Sequence, residues 1–279
     1  MPPRSLLPYT AIGGLFVVIF GAAVAASFFQ PKHTHAPTDR GLDSALYMKT
    51  SAEYRACCLQ AYNVAAERVA AKVEAERKNP REGSRKPFAV VLDLDETVLD
   101  NGGFQADMVR ARRANYDPYR WAEWEQDDHG RVGTVPGAKE FLAKLADWDV
   151  KPVFITNRSE GSREALHRLL KRLEIDLPDD RLLLLQGDKS DKTGRRKQAA
   201  EAFDVLLWVG DNLRDLDEAF KLDDEAFKSD KKRGIAGRKA AVDERRDKFG
   251  KDWIIIPNPA YGEWQKGVAS TPVDVDLLK

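Results

Sequence analysis

The 279 residues exceed one average domain and fit a single α/β domain of ordinary size with an appendage. The 45 basic residues balance 45 acidic ones, so no net field draws the chain to a nucleic-acid polymer or an acidic surface. The 4 histidines show no helical zinc spacing, and the adjacent Cys57 and Cys58 are too close for an easy disulfide, which argues against zinc chemistry and a disulfide framework.

Residues 5–31 carry no charge, and their centre at 11–20 is almost wholly apolar, with Arg4 in front. The length is near the roughly 20 residues that cross a bilayer. The small residues at 22–26 equally offer a signal-peptidase site. Residues 1–31 therefore read as a signal peptide or a membrane anchor, residues 32–41 as a linker, and residues 42–279 as one domain. Cleaved or not, the segment exports the rest, to the periplasm, the cell surface or the outer face of the cytoplasmic membrane. Uncleaved, it makes the membrane a partner.

Residues 42–78 read as one helix, because apolar side chains recur every three or four positions (Leu46, Tyr62, Val69, Val73) with no Pro or Gly between them. The apolar run 88–92 reads as a buried strand, followed by similar runs at 152–155, 182–185 and 205–209. Helices alternate with them: one with Thr134 as N-cap and Pro136 in its first turn, another over 162–173. This alternation predicts an α/β fold with a doubly wound parallel sheet. Residues 102–131, rich in Tyr, Trp and charge, read as a small helical cap insert, and residues 223–233 as a solvated excursion.

The chemistry gathers at strand ends. The strand 88–92 runs into Asp93-Leu94-Asp95-Glu96-Thr97, so that two acids two positions apart project the same way. Two like charges within about 4 Å repel by roughly 1–4 kcal/mol, and a bound cation is the simplest relief. Read alone, the pair serves equally well as helix-capping acids. The second run ends Thr156-Asn157-Arg158, placing a hydroxyl where it can bond a phosphate oxygen or cap the next helix. The fourth ends Gly210-Asp211-Asn212, with Asp215 one turn on, which adds oxygen donors suited to magnesium rather than zinc. Between them, residues 187–196 read alone as a charged solvated loop and in context as the source of a lysine, Lys189 or Lys192.

DLDET, TNR, a lysine and GDNLRD, in that order, resemble the four signature motifs of the haloacid dehalogenase superfamily. More narrowly, the chain resembles class C bacterial acid phosphatases, through Ser51-Ala52-Glu53-Tyr54, Leu99-Asp100-Asn101, Pro136-Gly137-Ala138, Gly210-Asp211-Asn212-Leu213 and the stretch 256–262, Ile-Pro-Asn-Pro-Ala-Tyr-Gly. Together these cover nearly everything after Ser51. The resemblance implies a magnesium-dependent acid phosphatase acting on small phosphate monoesters, nucleoside 5′-monophosphates among them, through an aspartyl-phosphate. Asp93 is then the nucleophile and Asp95 the acid that protonates the leaving oxygen and later activates water. Magnesium sits on the Asp93 side chain, the Asp95 backbone carbonyl and Asp211, with Asp215 nearby. Thr156, Asn157 and a lysine hold the phosphate, and Lys192 is preferred to Lys189 for its distance ahead of Asp211 and the arginines that follow it. Tyr261 and Trp124 are candidates for stacking on a base, with the cap's own small core as the alternative use of its aromatics. No cysteine follows the apolar segment, so a lipid anchor is not implied. The alternative is an exported binding protein that keeps the fold without turnover. Neither motif nor composition sets an oligomeric state.

Overall fold

A computed structural model of the chain describes residues 41–80, 86–113, 116–177, 179–221 and 231–267. The expected signal or anchor, the linker up to residue 40, and residues 223–230 of the expected excursion lie outside the described residues. Among the described residues no helix is long and apolar enough to cross a membrane.

The stretch expected as one helix is two, α1 (Leu42–Thr50) and α2 (Ala52–Lys78). Ser51 separates them with an extended backbone (φ −82°, ψ 135°), and its hydroxyl accepts the Tyr54 N–H at 2.9 Å. A serine that caps a new helix offers the backbone a local alternative to helical continuation, which periodicity of apolar residues does not register. Cys57 is exposed and Cys58 buried on α2.

The sheet is formed by β1 (Phe88–Leu92), β4 (Lys151–Ser159), β5 (Leu183–Gln186), β6 (Asp204–Gly210) and β7 (Trp253–Ile255), all parallel, in the order β5-β4-β1-β6-β7. Four of these answer the four apolar runs. The fifth, Trp-Ile-Ile, is too short to show a period of its own. A two-stranded antiparallel pair, β2 (Leu99–Asp100) with β3 (Gly133–Thr134), brackets the cap insert. The insert contributes α3 (Gly102–Arg110) and α4 (Pro118–Gln126). Then follow α5 (Ala138–Asp147), α6 (Arg163–Arg172), α7 (Thr193–Ala202), the single turn α8 (Leu213–Leu216) and α9 (Lys231–Glu244). Thr134 is not the N-cap of α5: it belongs to β3, and Gly137 takes that place at φ 90°, where a side chain would be strained and would meet Tyr62 at 3.2 Å. Residues 231–233, expected as excursion, open α9 instead.

Alternation along β1 explains how both faces are covered. Val90 and Leu92 join the larger core with Cys58, Tyr62, Val69 and Val73 of α2, while Ala89 and Val91 join the smaller one with Val153, Ile155 and Ala199. β1 lies between β4, the next strand of the sheet in sequence, and β6, so the chain reverses its winding there. In open α/β sheets the crevice at the carboxyl ends of such strands is where ligands bind.

Candidate active site

The Asp93 N–H continues the ladder by donating to the Val209 carbonyl at 3.0 Å, which fixes the acid at the carboxyl end of β1. The chain then turns sharply: Glu96 adopts φ 58°, and the N–H groups of Val98 and Leu99 both reach the Leu94 carbonyl at 2.8 Å. Tyr62 of α2 braces this turn through a buried 2.5 Å hydrogen bond from its hydroxyl to the Thr97 carbonyl.

Asp211 and Asp215 meet Asp93 beyond the end of β6, one carboxylate oxygen from each lying within 4.8 Å of the others. Thr97 Oγ1 (3.2 Å) and Asn258 Nδ2 (2.8 Å) donate to Asp211. Asp215 accepts the Asn212 N–H at 2.9 Å as half of a capping box on α8. Gly210 is required by this packing, since a Cβ there would stand 2.5 Å from the Asp215 Cβ. Lys192, 4 % exposed at the start of α7, donates its ammonium to Asp93 and, at 2.7 Å, to Asp215. Burial works against the charge on Lys192, yet Asp215 and Asp93 outweigh it and raise its pKa. Lys189 is exposed.

One ammonium does not balance three carboxylates. Burial, opposed by Lys192 and reinforced by Asp215 and Asp211, holds Asp93 well above the usual carboxylate range. Burial and then Asp215 push Asp211 up to about 8. An oxygen-only set with surplus negative charge suits a hard divalent cation, which Asp93, Asp211 and Asp215 could hold together. The sign of the pH effect follows. A carboxyl whose folded pKa lies above its unfolded value stabilises the fold while protonated and loses that contribution as pH rises. For Asp211 in metal-free protein the loss runs from 3.8 to about 8. The gain in Tm on adding a divalent cation should therefore widen across that window, and a gain that stays constant with pH would refute it.

Thr156, fully buried in β4, accepts the Arg158 N–H at 3.1 Å and donates to Asp95 at 3.4 Å. Asn157 is exposed at the cavity wall, its side-chain oxygen accepting from Arg195 at 2.8 Å. The Asp95 carboxylate stands outside the three-acid cluster, held by Arg158 at 2.8 Å and Asn101 at 2.9 Å. Tyr261 also lines the cavity, but its hydroxyl is committed to Glu96. Trp124 does not reach the cavity. It is 4 % exposed, packs against Phe104, lies under Arg131 and donates its indole N–H to Asn101 at 2.9 Å, because a large ring at this position closes the small core of the insert. The cap aromatics on the cavity wall are Phe104, Tyr116 and Trp121. Glu96, Thr97, Asn101, Arg158 and Asn258 form part of the site and carried no role in the sequence reading. Each lies inside a motif quoted above, and that was the available signal.

These walls and the acids line a cavity of about 730 Å³ together with residues 260–265, Gly41 and Ser44 of α1. The family model for the haloacid dehalogenase superfamily, subfamily IIIB (acid phosphatase), matches residues 29–264. The chain belongs to this acid phosphatase family. The class C acid phosphatase from Bacillus anthracis is similar over 86 % of this chain and 94 % of that one, at 31 % identity and a TM-score of 0.69. The same enzyme with tungstate bound matches over 86 % and 93 %, at 30 % identity and a TM-score of 0.68. This acid phosphatase is thus a phosphoric monoester hydrolase on a haloacid dehalogenase-like fold, and the alternative of a binding protein without turnover finds no support.

Proposed function

We propose that this acid phosphatase is an exported, magnesium-dependent enzyme that hydrolyses phosphate monoesters, including nucleoside 5′-monophosphates, through a phosphorylated Asp93. The observation that carries the mechanism is the burial of Asp93 among Asp211, Asp215 and the Lys192 ammonium, at the carboxyl end of the central strand. Magnesium would be held by the Asp93 and Asp211 side chains and the Asp95 backbone carbonyl, with Asp215 adjacent, and when bound supplies positive charge against carboxylate and phosphate alike.

Asp93 attacks phosphorus and forms an acyl phosphate as the ester oxygen departs. Asp95 gives that oxygen its proton, then takes one from the water that cleaves the acyl phosphate, which restores Asp93 and releases phosphate. Lys192 and Asn157, both on the cavity wall, would hold the remaining phosphate oxygens together with the Thr156 hydroxyl, which here donates to Asp95. Phe104, Tyr116, Trp121 and Tyr261 give the cavity flat apolar faces that favour an aromatic leaving group such as a nucleoside.

Phosphate release from 5′-AMP and from p-nitrophenyl phosphate is expected with magnesium and lost with EDTA, with 5′-AMP giving the higher kcat/KM. Activity that survives EDTA would remove the metal. A flat profile across nucleotides and simple aryl phosphates would remove the base-binding wall. Export rests on the charge-free segment at residues 5–31. Cell fractionation should find the protein outside the cytoplasm or in the membrane fraction; a soluble cytoplasmic protein with an intact N-terminus would contradict this.

A further inference from the structure

We propose that Arg158 is the positioning residue that sets the Asp95 carboxylate for proton transfer, and that the cap insert reaches the reaction through it. The proposal rests on the reading of Asp95 given above. Arg158 is 1 % exposed, near the end of β4, and two of its guanidinium nitrogens reach one acid. Nε and Nη2 reach Asp95 Oδ1 at 3.0 and 2.8 Å, and Nε also approaches Oδ2 at 3.3 Å. Asn101 Nδ2 adds a third short contact to Oδ1 at 2.9 Å. Oδ1 is thereby saturated. Among the described residues Oδ2 keeps only the longer Arg158 contact and Thr156 Oγ1 at 3.4 Å, which leaves it as the oxygen able to exchange a proton with the leaving group.

The clamp is itself held by the cap. Asn101 precedes α3, is fully buried, and its side-chain oxygen accepts from Arg158 Nη2 at 3.2 Å and from the Trp124 indole N–H at 2.9 Å. Both donors on that oxygen fix the amide so that its nitrogen faces Asp95. Trp121 covers the guanidinium, with the Arg158 Cζ 5.4 Å from the ring centroid, and donates its own N–H to Glu125 at 2.9 Å. The buried Trp124 thus serves the acid from behind rather than the substrate from the front.

The test compares kcat/KM, which reports only the steps through departure of the alcohol, on two esters. The alkoxide of 5′-AMP needs a proton to leave, whereas p-nitrophenolate does not. Arg158→Met is expected to lower kcat/KM for 5′-AMP by roughly 100-fold, the scale of general acid catalysis, and to change p-nitrophenyl phosphate far less. Arg158→Lys should recover part of the loss. Trp124→Phe, which removes the N–H together with the five-membered ring that carries it, should show the same selectivity on a smaller scale in protein that melts as a folded domain, and it decides the matter if Arg158→Met does not fold. Equal losses on both esters in folded variants, or none on either, would overturn the proposal. Asp95→Asn is run alongside: if it too lacks leaving-group selectivity, the failure lies in the role given to Asp95 rather than to Arg158.

Discussion

Asp93→Asn is expected to abolish phosphate release, with kcat falling by at least about 10⁴-fold, because an amide oxygen does not form the acyl phosphate and no other carboxylate occupies its place. Asp95 is turned to Arg158, Asp211 is held by Thr97 and Asn258, and Asp215 is held by Asn212 and Lys192. The substitution keeps the volume of the side chain and removes one of three crowded charges. Since burial already holds Asp93 above the usual carboxylate range, the variant should melt no lower than the parent in metal-free buffer at neutral pH. Turnover close to the parent's would move the nucleophile elsewhere, and a lowered metal-free Tm would show that the charge on Asp93 stabilises the fold through Lys192.

Lys192→Ala should reduce kcat by 100-fold or more, on the order of the loss of one preorganised donor, while Lys189→Ala should be mild. The distinction is one of burial. The Lys192 ammonium is enclosed between Asp93 and Asp215, so a phosphate oxygen at Asp93 meets a desolvated charge, whereas Lys189 is exposed to solvent. Lys192→Ala leaves Asp93 and Asp215 together without their ammonium, whereas Asp93→Asn leaves Lys192 its Asp215 partner, so Lys192→Ala should melt lower and depend more on a divalent cation. Thermal melts with and without magnesium, run beside the kinetics, separate the two effects. Comparable activity in both variants, or the reverse ranking, would sink the assignment.

The motif set, the parallel sheet and the strand-end positions of the candidate acids were legible because each depends on neighbours in the chain. A buried strand announces itself by an apolar run, and its carboxyl edge by the acids or hydroxyl that follow, as at Asp93, Thr156 and Asp211. The resemblance of the ordered motifs did the rest. The helix break at Ser51 and the cap at Gly137 were missed where a single residue's backbone preference overrode a longer pattern. β7 was missed because three residues carry no period.

What the sequence by itself determined was therefore the order of the candidate groups along the chain: two acids after β1, a hydroxyl in the last half of β4, a lysine ahead of β6, acids behind it. Only the tertiary structure decided who touches whom. Arg158 finds Asp95 across 63 positions, Lys192 finds Asp93 across 99, and Tyr261 finds Glu96 across 165. It also turned Trp124 inward, onto Asn101, while Trp121 stayed at the wall. The physical reason is that strand and helix signals follow from local geometry, while the partner of a buried polar group is fixed by whichever donor packing delivers to it. In a low-dielectric interior leaving such a group unpaired is costly, so most find a partner.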